Sequence, residues 1–152
     1  MLSRFQQFSF VISEINRHIQ KIERDEMVKY GCKGAFAQYL VTLLSHPDGL
    51  TAAQLCKLCD KDKAAVSRIV SEMQEKGLVT RSSENTRAYN ALILLTDEGR
   101  TAAEYVCMKA RAAVKAVGSV MNDEERRVLY SLLDTIADKL QKLSDEGIPE
   151  YH

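Results

Sequence analysis

Lys61, Lys63 and Arg68 fall in one short segment whose other residues include Ala64, Ala65 and Ser67. Ammonium and guanidinium groups seek phosphate oxygens, and a guanidinium also fits the edge of a guanine through two parallel hydrogen bonds. The Ala and Ser side chains between them are small enough to let a helix lie deep in a major groove, where a bulky face would stand off. The plainer reading, that Ala, Ser and Lys are ordinary exposed helix residues, loses weight because a hairpin with cations of its own comes next in the chain. Arg81 leaves a segment of strand character, and Arg87 and Tyr89 stand near the tip of the hairpin it opens. A guanidinium there can run along a minor groove or meet a phosphate.

Cys56-Lys-Leu-Cys59 sets two thiols about one helical turn apart, a spacing open to redox or metal chemistry. A metal needs further ligands, yet Cys32 and Cys107 are remote in sequence, and His18, His46 and His152 form no cluster with ligand spacing. Buried small hydrophobes account for these cysteines more simply. There is no Gly-rich phosphate loop, nucleophile elbow or HExxH helix. The expectation is a protein without catalytic residues, metal or cofactor, and therefore not an enzyme.

The elements that must position the cations follow from periodicity and caps. Phe5, Phe8, Ile12, Ile15, Ile19 and Ile22 recur every three or four residues, the seam of a long amphipathic helix that should end by Tyr30-Gly31. A second helix is predicted from about Gly34 to Ser45, followed by a turn at His46-Pro-Asp-Gly49. Thr51-Ala-Ala-Gln54 has the spacing of a capping box and opens a short third helix to about Cys59. Asp62 caps a fourth, in which Val66, Ile69, Val70 and Met73 form the buried face and Gly77 is the stop. Leu78 to Arg81 and Tyr89 to Leu95 then alternate with a period of two and predict a β-hairpin. Thr96-Asp-Glu98 caps a long helix through about Val117, and Asn122-Asp-Glu-Glu125 opens a last one that carries Leu129, Leu132, Leu133, Ile136 and Leu140 and frays from Asp145.

The 152 residues suit one globular domain with extensions, and 45% hydrophobic and 28% charged residues argue against a disordered chain. Twenty-one basic and 21 acidic residues cancel, which removes the simplest case for nucleic-acid binding, so any DNA footprint must be local. From Lys57 to Arg87 the segment is only mildly positive. The N-terminus lacks the apolar run of a secretory signal, no stretch nears the roughly 18 apolar residues of a membrane span, and the cysteines suit a reducing compartment. A cytoplasmic protein with no membrane partner is expected.

The stretch from Thr51 to Arg81, TAAQLCKLCDKDKAAVSRIVSEMQEKGLVTR, with the later LILLTDEGR, resembles the MarR family of transcriptional regulators. Asp62 to Arg81 is its most specific part, Leu95-Thr96 with Gly99 also fits, and the outer helices agree in length and order. The resemblance implies a mainly α fold with a small β-hairpin wing, a winged helix-turn-helix flanked by N- and C-terminal dimerisation helices. Residues 1–33 and 97–152 would dimerise and 34–96 would bind DNA. It also implies a small-molecule effector in a crevice between the dimerisation helices and the winged lobe, with His18 and Tyr39 as candidate lining. One departure stands out: the family's wing usually carries an Asp about two residues before an Arg, whereas this chain has Asn85-Thr-Arg87, which leaves Asn85 or Tyr89 to help position Arg87.

The expected function is a homodimeric, ligand-responsive repressor that binds a palindromic duplex. Its DNA contacts are Lys61, Lys63, Ala64, Ala65, Ser67, Arg68, Arg81, Arg87 and Tyr89, and its dimer contacts Phe5, Phe8, Ile12, Ile15, Leu132, Ile136 and Leu140. The outer seams could instead close a bundle within one chain. A single short helix reads few base pairs, however, and two-fold symmetry doubles the site. The alternatives are a winged-helix module that docks proteins without touching DNA, and a regulator that senses oxidants through Cys56 and Cys59.

Overall fold

Helix ends in this chain are fixed by side chains that satisfy backbone groups left over at the first and last turns. In the computed structural model, which describes residues 3–82 and 90–150, α1 (Arg4–Lys29) starts with a capping box in which Ser3 Oγ accepts the Gln6 N–H at 3.2 Å and Gln6 Oε1 accepts the Ser3 N–H at 2.9 Å. It stops where Gly31 takes φ 98°, with the Cys32 N–H donating to Met27 O and the Gly31 N–H to Val28 O. That is a Schellman closure, which a residue with a Cβ adopts only under strain. α2 (Phe36–Leu44) follows, then α3 (Ala52–Cys59) with the expected box between Thr51 and Gln54.

The turn from α3 into α4 places Asp60 in the left-handed region at φ 51°, a conformation that Asp tolerates better than most side chains. α4 (Lys63–Glu75) begins where Asp62 Oδ1 accepts the Ala65 N–H at 2.7 Å. Asp62→Ala is expected to cost about 1 kcal/mol of stability, read as a lower urea midpoint. The far end of α4 is a second Schellman closure: Gly77 at φ 72°, its N–H on Gln74 O and the Leu78 N–H on Met73 O.

That closure corrects the expected strand limits. Leu78 spends its N–H on α4, so β1 is Val79–Arg81 rather than starting at Leu78. β2 is Ile93–Leu95, so Asn90 to Leu92 of the strand predicted over Tyr89 to Leu95 lie outside it, and Tyr89 lies outside the described residues. The ladder ends at Leu92 because its N–H turns to the Ser82 hydroxyl at 2.9 Å instead of a backbone carbonyl. The two strands are antiparallel, with Val79 opposite Leu95 and Arg81 opposite Ile93. Ile93 also exchanges both backbone hydrogen bonds with Leu50, adding a one-residue bridge on the free edge. A single paired residue has no periodicity, so nothing in the sequence announced it.

α5 (Asp97–Gly118) and α6 (Asp123–Glu146) complete the chain. Thr96 joins the hairpin to α5: its Oγ1 accepts the Gly99 N–H at 3.1 Å and donates to Gly77 O at 2.6 Å, and its own N–H donates to Leu78 O.

Two compact units result, Met1–Ala112 and Ala113–His152. The first holds the core, in which Met27, Phe36, Leu40, Leu43, Leu55, Val66, Val70, Met73 and Ile93 are sealed from solvent, joined by Ala102, Ala103 and Val106 of α5. Burying each large apolar side chain stabilises the fold by roughly 1.5–3 kcal/mol. The second unit contains α6, whose capping box between Asn122 and Glu125 is as expected but none of whose residues is buried. No helix among the described residues is long and apolar enough to cross a membrane.

Candidate nucleic-acid interface

Only one arrangement of α4 buries Val66, Ile69, Val70 and Met73 against the core, and it turns the opposite face to solvent. Lys63, Ala64, Ser67 and Arg68 are exposed there and Ala65 is partly covered. Lys61 is exposed in the turn just ahead of α4. The six residues expected to contact DNA from Lys61 to Arg68 therefore share the start of α4 and the turn just ahead of it, with no large apolar side chain among them.

The charge around that face is better sorted than the sequence suggested. Asp62 has one carboxylate oxygen committed to the α4 backbone, and Glu72, further along the helix, is held by Lys33 at 2.7 Å. Both acids are thus partly neutralised locally, while Lys61, Lys63 and Arg68 make no salt bridge among the described residues. Neutral net charge is compatible with a locally positive surface of this kind.

Arg81 ends β1 opposite Ile93 and is partly buried, which fixes the base of the hairpin beside α4. Arg87 and Tyr89, and with them the question of what replaces the missing Asp, lie outside the described residues.

A residue that the sequence did not single out joins this region. Arg24 of α1 lines a cavity together with Lys61, Ala65 and Arg68. Its place in a run of charged residues on a surface helix gave no sign of that, because the contact depends on how α1 crosses the winged lobe. Tyr39 lines the same cavity, whereas His18 is exposed and is not among the lining residues.

The cysteines are free. Cys59 is buried, its Sγ is 3.6 Å from Thr42 Oγ1, and burial pushes its thiol pKa up. That disfavours the thiolate that oxidant sensing requires. Among the described residues no three His, Cys, Asp or Glu side chains are grouped so as to hold a metal ion.

Residues 30–88 match the sequence profile of the MarR family. Over 134 residues the chain is 28% identical to an uncharacterized HTH-type transcriptional regulator, YdgJ, of Bacillus subtilis, covering 86% of this chain and 82% of that one. Its fold matches that of a putative MarR family transcriptional regulator from Listeria monocytogenes, solved in complex with 26mer DNA, at a TM-score of 0.73 and 15% identity, with both chains fully covered. It also matches a MarR transcriptional regulator from Methanosarcina mazei at a TM-score of 0.76 and 19% identity, over 90% of this chain and 97% of that one. The helix order, the capped helix α4, the two-strand hairpin and the matched segment all agree: the chain has the fold of these MarR regulators, and its residues 30–88 are similar to the MarR family.

Proposed function

We propose that this protein is a sequence-specific, DNA-binding repressor of transcription that acts in the cytoplasm as a homodimer on a palindromic duplex and is released by a small-molecule effector. The observation that carries the reading is the exposed face of α4, cationic at Lys63 and Arg68 and small at Ala64 and Ser67, backed by a fully buried apolar ridge. A rigidly held helix with such a face suits a major groove about 12 Å wide. Lys61, Lys63 and Arg68 contact phosphates or a guanine edge, Ala64, Ala65 and Ser67 permit close approach, and Arg81, Arg87 and Tyr89 serve the wing. Residues 34–96 are the DNA-binding part in this reading, and 1–33 and 97–152 the dimerisation parts.

Apolar side chains left in water support the homodimer. Phe5, Phe8, Ile12 and Ile15 on α1 and Leu132 and Leu140 on α6 are all exposed in the single chain, with Ile136 partly so. Apolar surface on this scale marks an interaction site.

Selection of bound duplexes from a random pool tests the reading. An inverted repeat is expected; a pool that stays unenriched would remove DNA binding from the assignment. On the selected site Arg68→Ala is expected to weaken binding by about 1–3 kcal/mol. If Arg68 reads a guanine the loss is confined to that base pair, and if it meets a phosphate the salt dependence flattens by about one ion for any sequence.

A further inference from the structure

The cavity bounded by α1, α2 and α4 encloses about 300 Å³. It gathers cations from three parts of the chain: Arg24 on α1, Lys61 in the turn before α4, and Arg68 on α4 itself. Glu23 is the one acid in its lining, so the wall is net positive. Burial pushes the Glu23 carboxyl pKa up, and the neighbouring Arg24 guanidinium opposes that rise. Tyr39 is only 3% exposed and lines the cavity. No partner for its hydroxyl occurs among the described residues, yet the hydroxyl is not a sealed, unpartnered atom. Ile69 supplies an apolar wall.

We propose that this cavity binds a small phosphate monoester, and that the occupied cavity and bound DNA exclude each other because both use Lys61 and Arg68. The exclusion rests on the DNA-binding reading of α4; the site itself does not. A phosphate monoester carries about −1.5 to −2 charges at neutral pH and three acceptor oxygens, which suits three cationic groups approaching from different elements. A carboxylate offers one charge and two oxygens to the same wall. Guanidinium groups bind phosphate through paired hydrogen bonds, and Tyr39 can donate one more. The chemistry that draws Lys61 and Arg68 to a DNA phosphate is thus the chemistry that draws a small phosphate ester into the cavity. An effector of this kind displaces DNA by taking its cations, without having to change the spacing of two reader helices.

The test uses the full-length protein with phenyl phosphate, benzoate and phenol as probes at matched ionic strength, read by titration calorimetry. Phenyl phosphate is expected to bind at least tenfold more tightly than benzoate, and phenol not measurably. Arg24→Ala, and more strongly Arg24→Glu, should weaken phenyl phosphate at least tenfold. The apparent duplex Kd should rise in proportion to phenyl phosphate without reaching a plateau. Benzoate binding as tightly as phenyl phosphate, or phenyl phosphate binding that ignores both Arg24 variants, would overturn the site. A plateau in the competition would overturn mutual exclusion. Failure of the free protein to bind any selected duplex would sink the DNA-binding reading and the exclusion with it, a result distinguishable from loss of the site because calorimetry needs no DNA.

Discussion

Gly99→Ala is expected to lower the urea midpoint of this protein by the equivalent of about 2–6 kcal/mol, enough to leave a domain of ordinary stability partly unfolded at 37 °C. A Cβ at position 99 would stand 1.9 Å from Leu78 O and 2.8 Å from Leu78 C. The obstacle is backbone, so no rotamer change relieves it. Leu78 O also accepts the Thr96 N–H, and Thr96 Oγ1 binds both Gly77 O and the Gly99 N–H. Moving α5 away from Leu78 therefore breaks the link that fixes the end of α4, the base of the hairpin and the start of α5 together. Overpacking accounts for about 1–3 kcal/mol, and a buried backbone group left without its partner for about as much again. Gly118→Ala is the matched control: its Cβ meets nothing nearer than Arg126 Nε at 3.6 Å, and in a helix the exchange should be neutral or stabilising by up to about 1 kcal/mol. Equal midpoints for the two variants would show that the close approach at Leu78 is not sustained in solution.

Much of this architecture was legible because its determinants are local. Thr51 with Gln54, Asp62, Thr96, and Asn122 with Glu125 each announce a helix start by spacing alone, and Val66, Ile69, Val70 and Met73 announce which face of α4 must be buried. From that burial the exposed face with Lys63, Ala64, Ser67 and Arg68 follows by geometry. Ser3 with Gln6 carried the same signal as Thr51 with Gln54 and could have been read in the same way. The features that could not be read depend on distant parts of the chain. The Leu50 to Ile93 bridge joins single residues, the late start of β2 depends on the Ser82 hydroxyl just past β1, and the place of Arg24 beside Lys61 and Arg68 depends on how α1 lies against the lobe. Gly99 sits between these cases, since its spacing from Leu95-Thr96 pointed to the family while the reason for a glycine there is the Leu78 carbonyl.

Ile15→Glu and Leu132→Glu are each expected to turn a dimer into a monomer and to weaken binding to the selected inverted repeat about a thousandfold or more. Ile15 is 51% and Leu132 55% exposed in the single chain, so a carboxylate at either position remains solvated in the protomer and should leave its helical circular dichroism unchanged. In a dimer that buries these seams the same carboxylate would lose its water without gaining a partner, a cost of several kcal/mol repeated at both symmetry-related positions. The effect on DNA is larger than the loss of any one contact because two reader helices share one binding event. Specific complexes of this kind have dissociation constants of roughly 10⁻⁸ to 10⁻¹¹ M. If each half-site supplies about half of the roughly 12 kcal/mol that corresponds to a nanomolar complex, one protomer alone binds only in the micromolar range or more weakly. Arg17→Glu, on the exposed side of α1 away from the seam and beside Glu14, controls for added negative charge and should leave the dimer intact. Sedimentation separates the possibilities: Ile15→Glu or Leu132→Glu protein that still runs as a dimer and binds the repeat with unchanged affinity would mean that the exposed seams are not the interface, and that the apolar surface on α1 and α6 serves another partner.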